Sequence, residues 1–387
     1  MDTPRSILTH LRGQAASLAD LSTATGASLP TVRRAVQDLV AARWIRPVGR
    51  EEATGGRPAT LFGLDERVHT VIGVHLAHPG MRMVATDLTG RIVASEVPDL
   101  YDLDPDAVHA AVRAFVTRLR ADLPGRRPLG VAVATPGYVD ATTGTVITIG
   151  RVPHWNNLPI RARLEEATGL PVEVGNDMDA LATAEFGAGE NGRTYAYVGF
   201  GEGIKFTMFL RGLPYPGPFG NAGLVSRRLL AERHGADRAA LLEVHGLADA
   251  YRRACGDTEA SHGAHRDPAQ THRRFHRLLA EASEGREPAA ALVAEMSDLL
   301  GEQIATFVHL VQPELIVLGG GLAGAPAPVR ASVERAVRGR LPTLLSNALM
   351  VRPARVSGEE ATACGATRAF LQRALHAGAP TVTGLNG

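Results

Sequence analysis

Apolar Ile7, Leu8 and Leu11 fall at helical spacing over Pro4–Leu11, and a second short helical run, Leu18–Ala24, ends before Gly26. Ser28 and Pro30 mark a third helix start: a serine N-cap, then a proline in the first turn, where its missing N–H costs nothing. Over that segment, to about Arg43, Val32, Ala35, Val36, Leu39 and Val40 form one stripe near 3.6 periodicity. Thr31, Arg34, Gln37 and Ala41 face away from it, and Arg33 lies on the flank. Trp44–Val48 then reads as a strand, Gly49–Ala59 as a polar turn and Thr60–Leu64 as a returning strand. Three helices and a hairpin predict a winged helix-turn-helix over residues 1–66.

From residue 67 onward the period alternates between two and 3.6. Strands are expected over His69–His75, Met81–Asp87 and Arg91–Glu96, a helix over Pro105–Leu123, and a buried strand over Leu129–Thr135 that breaks at Pro136-Gly137. A second such series starts with Tyr195–Gly199, passes through helices between 225 and 311, and ends with Leu315–Leu318 and Gly319-Gly320-Gly321. Strand–strand–strand–helix–strand occurring twice predicts two related α/β lobes in 67–387. Their boundary is expected near 175–195.

Length allows two or three domains at roughly 150 residues each. Forty-one Lys+Arg against 40 Asp+Glu leave +1, so any polyanion-binding surface is local. The segment Leu29–Thr60 supplies one, with six arginines against Asp38, Glu51 and Glu52. Lys205 is the single lysine, which makes nearly all cationic contacts planar and forked. Two cysteines, Cys255 and Cys364, exclude a disulfide framework and fit a reducing cytoplasm. No apolar leader opens the chain, and the least charged run, Leu129–Gly150, contains Pro136 and Asp140, so no membrane span is expected.

Six short motifs occur in register: Ala134-Thr135-Pro136-Gly137-Tyr138-Val139-Asp140, Trp155-Asn156-Asn157-Leu158-Pro159-Ile160, Val174-Gly175-Asn176-Asp177-Met178-Asp179-Ala180, Gly220-Asn221-Ala222-Gly223, Ile316–Leu322, and Gly358-Glu359-Glu360 with Gly365-Ala366. In this order they resemble the ROK family of repressors, open reading frames and kinases, over about residues 68–375. The resemblance implies an α/β two-lobed, actin-like ATPase (sugar kinase) fold. With the amino-terminal winged helix it implies a transcriptional repressor.

A recognition helix presents base-reading side chains from its amino-terminal half in the major groove. Thr31, Arg34 and Gln37 are placed for that, Arg34 for guanine and Gln37 for adenine, while Arg33 suits a phosphate. At the wing tip, Gly55-Gly56-Arg57-Pro58 offers Arg57 to a minor groove. The bland alternative is a solvated arginine face and a plain linker. One winged helix covers one half-site, so a homo-oligomer, dimer or tetramer, on a pseudo-palindromic operator follows.

Kinases of the resembled family carry an Asp and a Gly-Gly-Thr on the first hairpin. Here His75 stands for the Asp and Ala77-His78-Pro79 for Gly-Gly-Thr, and Pro79 offers no N–H to a phosphate. The second phosphate turn is Gly201-Glu202-Gly203, where an inward carboxylate at about 4 Å would repel a phosphate by roughly 4 kcal/mol. Asp177 keeps the position of the family's catalytic base. It reads equally as an acceptor for a bound sugar, or as a carboxylate favoured at a helix start. Gly319-Gly320-Gly321 approaches the nucleotide in the family, or is simply a tight strand-to-helix turn. Phosphotransfer is not expected, and Asp177 is a vestigial candidate only. The runner-up is an ATP-dependent sugar kinase with an appended DNA-binding domain.

After Gly223 the family places a Glu and a zinc-ligating His; here Leu224 and Arg227 stand there, with no cysteine before Cys255. Neither a metal nor a resident cofactor is therefore expected. His272 and His276, four apart, read as surface residues, as do His262 and His265. Asn157, Asn176, Asp177, Asn221 and Arg227 are the candidate effector contacts in the interlobe cleft. Arg227 and Arg228 tilt the expectation towards an acidic or phosphorylated sugar, unless both point into solvent. The composite expectation is a cytoplasmic regulator that binds duplex DNA and a sugar-related effector.

Overall fold

The computed structural model describes residues 3–51, 58–77, 80–100, 103–149, 152–186, 193–256, 268–356 and 358–376. Two compact units emerge, Met1–Gly189 with Glu359–Gly387, and Glu190–Gly358.

The first unit opens with α1 (Thr3–Leu11), α2 (Leu18–Thr25) and α3 (Leu29–Ala41), followed by the antiparallel pair β1 (Ile45–Arg50) and β2 (Thr60–Leu64). Ser17 and Asp20 form a reciprocal capping box on α2, which ends on left-handed Gly26. Ser28 caps α3, and the buried residues of α3 are Val32, Ala35, Val36 and Leu39. Ala16 bridges Phe62 through two backbone hydrogen bonds of 2.9 and 3.0 Å, adding a third line to the wing.

The chain continues through β3 (His69–Ala77), β4 (Gly80–Asp87), β5 (Ile92–Glu96), α4 (Pro105–Asp122) and β6 (Arg127–Thr135). A small ribbon, β7 (Tyr138–Asp140) and β8 (Thr145–Thr148), precedes α5 (Ile160–Thr168), β9 (Val172–Asn176) and α6 (Asp177–Phe186). The sheet order is β5-β4-β3-β6-β9, antiparallel within the opening meander and parallel from β3 to β9.

The second unit contains β10 (Tyr195–Phe200), β11 (Ile204–Leu210), β12 (Leu213–Tyr215), α7 (Arg227–His234), α8 (Ala236–Ala240), α9 (Val244–Ala254), α10 (Pro268–Ser283), α11 (Ala289–Val311), β13 (Leu315–Gly320), α12 (Ala327–Arg338), α13 (Thr343–Ala348) and β14 (Met350–Pro353). Its sheet order is β12-β11-β10-β13-β14, again a meander whose first strand pairs in parallel with the strand after the helices. Position for position this repeats the first sheet, so the duplicated strand pattern has a structural counterpart. The two sheets give the two-lobed, actin-like α/β fold.

The closing helix, α14 (Ala361–His376), returns to the first unit. A Cβ on its Gly365 would lie 1.8 Å from the Ala180 carbonyl oxygen, so glycine there lets α14 meet α6 at backbone distance. One apolar core joins Ile7, Leu8, Leu11, Leu21, Val32, Leu39 and Ile45 of the winged helix to Val71, Ala132, Phe370 and Leu371. The connection is polar as well: the Asp65 amide donates to Trp44, and the Arg127 amide to Val68 at 2.7 Å. Trp44 stacks on His69 with ring centroids 4.5 Å apart. Burial, before any charge effect, lowers the His69 pKa below its ordinary value.

Candidate functional site

On α3 the side chains of Thr31, Arg33, Arg34 and Gln37 are exposed. At 100° per residue, Arg33 and Gln37 turn towards the wing, and Arg34 and Thr31 towards the opposite flank. Arg33 and Gln37 line a groove with Leu18, Val36, Val40, Ala41, Pro47 and Phe62. The Thr31 hydroxyl is partly committed, lying 2.8 Å from the Ser28 hydroxyl in the cap. Among the described residues, Arg33, Arg34 and Arg50 have no ion pair. Arg46 differs: its guanidinium forks onto Glu66 at 2.7 and 3.0 Å. The local positive balance is therefore smaller than the arginine count of 29–60 gave. Arg57 lies outside the described residues, as do His78 and Pro79.

His75 sits on β3 opposite Arg82 and beside Ala134. Its Nδ1 is buried without a hydrogen-bond partner, and burial, aided by the Arg82 charge, lowers its pKa to about 4. Arg82 itself pairs with Glu359. A neutral imidazole therefore occupies this position of β3 at neutral pH.

Asn176 and Asp177 meet at the β9–α6 junction. The Asn176 side chain donates to the Gly137 carbonyl at 3.2 Å and accepts from the Met178 amide at 3.0 Å. Asp177 Oδ1 accepts from the same amide at 2.8 Å. Asn176 is buried and works as a clamp between two turns, while Asp177 serves the helix start as a carboxylate should. Asn157 is exposed with φ of 56°, a left-handed position that asparagine tolerates.

In the second unit the Gly220–Gly223 turn is held to β11 by Phe206 N–H to Gly223 O, 2.8 Å, and Val225 N–H to Ile204 O, 3.0 Å. Asn221 donates to Phe219 O at 3.0 Å. The expected surplus of positive charge after this turn is corrected by the structure: Arg227 pairs with buried Glu243 at 3.1 Å and Arg228 with Glu232 at 2.7 Å. Both arginines are largely exposed, and the carboxylates offset their charge.

The three-glycine turn after β13 is filled from inside. A Cβ on Gly319 would lie 1.9 Å from Cζ of Tyr197, and the Tyr197 hydroxyl accepts the Gly320 N–H at 3.0 Å. The Gly321 amide donates to Phe200 O at 2.7 Å. These glycines make room for an aromatic ring, and two of their amides are already spent. In the Gly201-Glu202-Gly203 turn the Gly201 amide donates to Gly203 O at 2.9 Å, and Glu202 is exposed. His272 and His276 lie on the exposed side of α10, and among the described residues no cluster fit to hold a metal occurs. Among the described residues, no helix is long and apolar enough to cross a membrane.

Arg57 aside, the exposed positions of α3 could be placed by periodicity. Tyr197, Glu243 and the Trp44–His69 stack could not, since nothing local in the sequence announces a partner so far along the chain.

Residues 71–373 match the ROK family. A xylose repressor of Caldicellulosiruptor bescii is 22% identical over 80% of this chain and 78% of its own. A transcriptional regulator of Mycobacterium tuberculosis is 28% identical over 76% and 69%. A beta-glucoside kinase of Klebsiella pneumoniae is 28% identical over 64% and 79%. Among solved structures, a ROK family transcriptional regulator described as a homologue of the E. coli MLC protein has the same fold, with a TM-score of 0.76, 22% identity and 97% coverage of both chains. The family match covers well over half of the sequence and both sheets, and the chain belongs to the ROK family.

Proposed function

We infer that this ROK protein is a DNA-binding transcriptional regulator of the repressor type whose ROK lobes answer a sugar-related effector and do not transfer phosphate. The observation that carries the reading is the contrast between its two candidate chemistries. The recognition helix holds exposed Arg33, Arg34 and Gln37, the two arginines free of ion pairs among the described residues. The amides of Gly320 and Gly321, by contrast, are bonded internally. Regulator-named relatives that extend over three quarters or more of the chain support the same reading.

For the effector, Asn157, Asn176, Asp177 and Asn221 offer amide and carboxylate groups suited to hydroxyls. With Arg227 and Arg228 paired to carboxylates, a neutral sugar is favoured over an acidic one. A homo-oligomer on a pseudo-palindromic operator is the arrangement that places two such helices on DNA.

The test is footprinting of full-length protein on the DNA beside its own gene, with xylose, other neutral sugars and sugar phosphates added in turn. Protection of a two-fold site that a neutral sugar releases is the expected result. Absence of any sequence-specific protection refutes the reading. Sugar-dependent ATP consumption by the purified protein would favour the kinase relative's chemistry instead.

A further inference from the structure

Arg12, just beyond α1, and Arg368, on α14, line one polar recess with Leu88, Thr89, Gly90, Thr367 and Leu371. Its volume is about 40 Å³, against roughly 10–15 Å³ for a single water by this measure, enough for a small polyatomic ion but not a sugar ring. The two arginines stand 356 positions apart in the sequence and belong to different parts of the molecule, the DNA-binding domain and the ROK domain.

Two guanidiniums facing one recess repel each other, and among the described residues neither has a carboxylate partner. Among the described residues, the hydrogen bonds of Arg368 are long ones, 3.4 and 3.5 Å, from Nη1 to Ala184 O and Thr183 O. Arg12 has none among the described residues. Of Asp87, in the turn that forms one wall, Oδ1 accepts from Thr89 N–H at 2.9 Å, Thr89 hydroxyl at 2.6 Å and Arg91 N–H at 3.1 Å, while Oδ2 is buried without a hydrogen-bond partner. Its Oδ2 lies 3.5 Å from Arg91 Nε. The Thr367 hydroxyl donates to Cys364 O at 2.8 Å. The recess therefore presents two guanidiniums that, among the described residues, have no carboxylate partner and only the long bonds of Arg368 Nη1.

We propose that this recess is a binding site for a tetrahedral oxyanion, a free phosphate ion or the phosphoryl group of a small metabolite, clamped between Arg12 and Arg368. Forked guanidiniums match two edges of such an ion, and the anion removes the like-charge repulsion. Burial, with the neighbouring Arg368 charge, brings the Arg12 pKa down to about 10, which leaves it cationic at neutral pH. An occupied site would staple α1 to α14 and fix the winged helix on its supporting lobe. The inference is independent of which sugar the protein senses.

The experiment is thermal unfolding of the full-length protein at constant ionic strength, with chloride replaced by inorganic phosphate, sulfate or glucose 6-phosphate. At ten times its dissociation constant the anion should raise Tm by about 2 °C. R12Q and R368Q should each abolish that rise, R12K should keep part of it, and R120Q, on exposed α4, should leave it intact. Because removing one of two repelling charges can itself stabilise the fold, the readout is the anion-dependent increment and not the baseline Tm. An increment with inorganic phosphate identifies a free ion as a sufficient ligand. An increment with glucose 6-phosphate alone assigns the site to a phosphorylated metabolite. No increment with any of these anions, or one that survives in the R12Q R368Q double variant, overturns the proposal.

Discussion

The arginines around the recognition helix divide into committed and uncommitted ones, and this division makes a quantitative prediction. Arg33, Arg34 and Arg50 have no ion pair among the described residues, whereas Arg46 is forked onto Glu66 at 2.7 and 3.0 Å. Each phosphate contact contributes about 0.9 to the slope of log K against log salt. Arg33→Ala should therefore lower the slope by about 0.9 per bound chain, or about 1.8 on a site holding two chains. Arg34→Ala should instead cost about 1–3 kcal/mol of operator affinity and relax the preference at one base pair, because a base contact carries sequence information. Arg46→Ala should leave the slope unchanged. It should alter stability by less than about 1 kcal/mol, since that pair is partly solvated. The assay is fluorescence anisotropy with a labelled operator over a range of salt. The reasoning fails if Arg33→Ala keeps the native slope, or if Arg46→Ala lowers it as much as Arg33→Ala does.

Tyr197→Phe removes the hydroxyl that accepts the Gly320 N–H without changing the packing volume; urea unfolding should report a loss of about 1–2 kcal/mol. An unchanged midpoint would mean that the amide finds another acceptor. Gly365→Ala puts a Cβ 1.8 Å from the Ala180 carbonyl, and separating α14 from α6 should cost about 2 kcal/mol or more in the same assay. For His75, a folded-state pKa of about 4 against 6.5 means the unfolded chain binds the extra proton between those values, so stability falls as pH falls through that window. Between pH 7.5 and 5 the loss is about 2 kcal/mol at most. His75→Gln should remove that part of the pH dependence while His69 and His109, lowered in the same direction, keep theirs.

Local patterning carried much of the fold. Thr60–Leu64 is the expected returning strand, Ser28 does cap α3, and β3 and β10 each open a meander where the repeated strand pattern places them. What stayed hidden depended on partners remote in sequence. The spacing of Gly319-Gly320-Gly321 fits a phosphate turn and a packing turn equally, and only the Tyr197 ring, more than a hundred residues earlier, separates the two. Arg227 looks like a free cation until Glu243 is found beside it at 3.1 Å.

The join between the winged helix and the ROK domain constrains how an effector signal reaches DNA. A domain on a flexible tether would decouple from its neighbour, because nothing would transmit a change of state. Here the core of α1–α3 is continuous with β3, β6 and α14, and the wing passes into β3 within a few residues through the Trp44 and Val68 backbone bonds. Pulling the winged helix free would break the core that Ile7 and Leu11 share with Phe370 and Leu371, at about 1.5–3 kcal/mol for each large side chain it exposes. A tenfold change in operator affinity requires only about 1.4 kcal/mol of coupling. Release by detachment therefore costs several times what regulation needs. For the proposed oligomeric regulator the cheaper route is a rigid-body one, in which α1–α3 and the wing move together with the lobe that carries them and an effector would change the separation of the recognition helices.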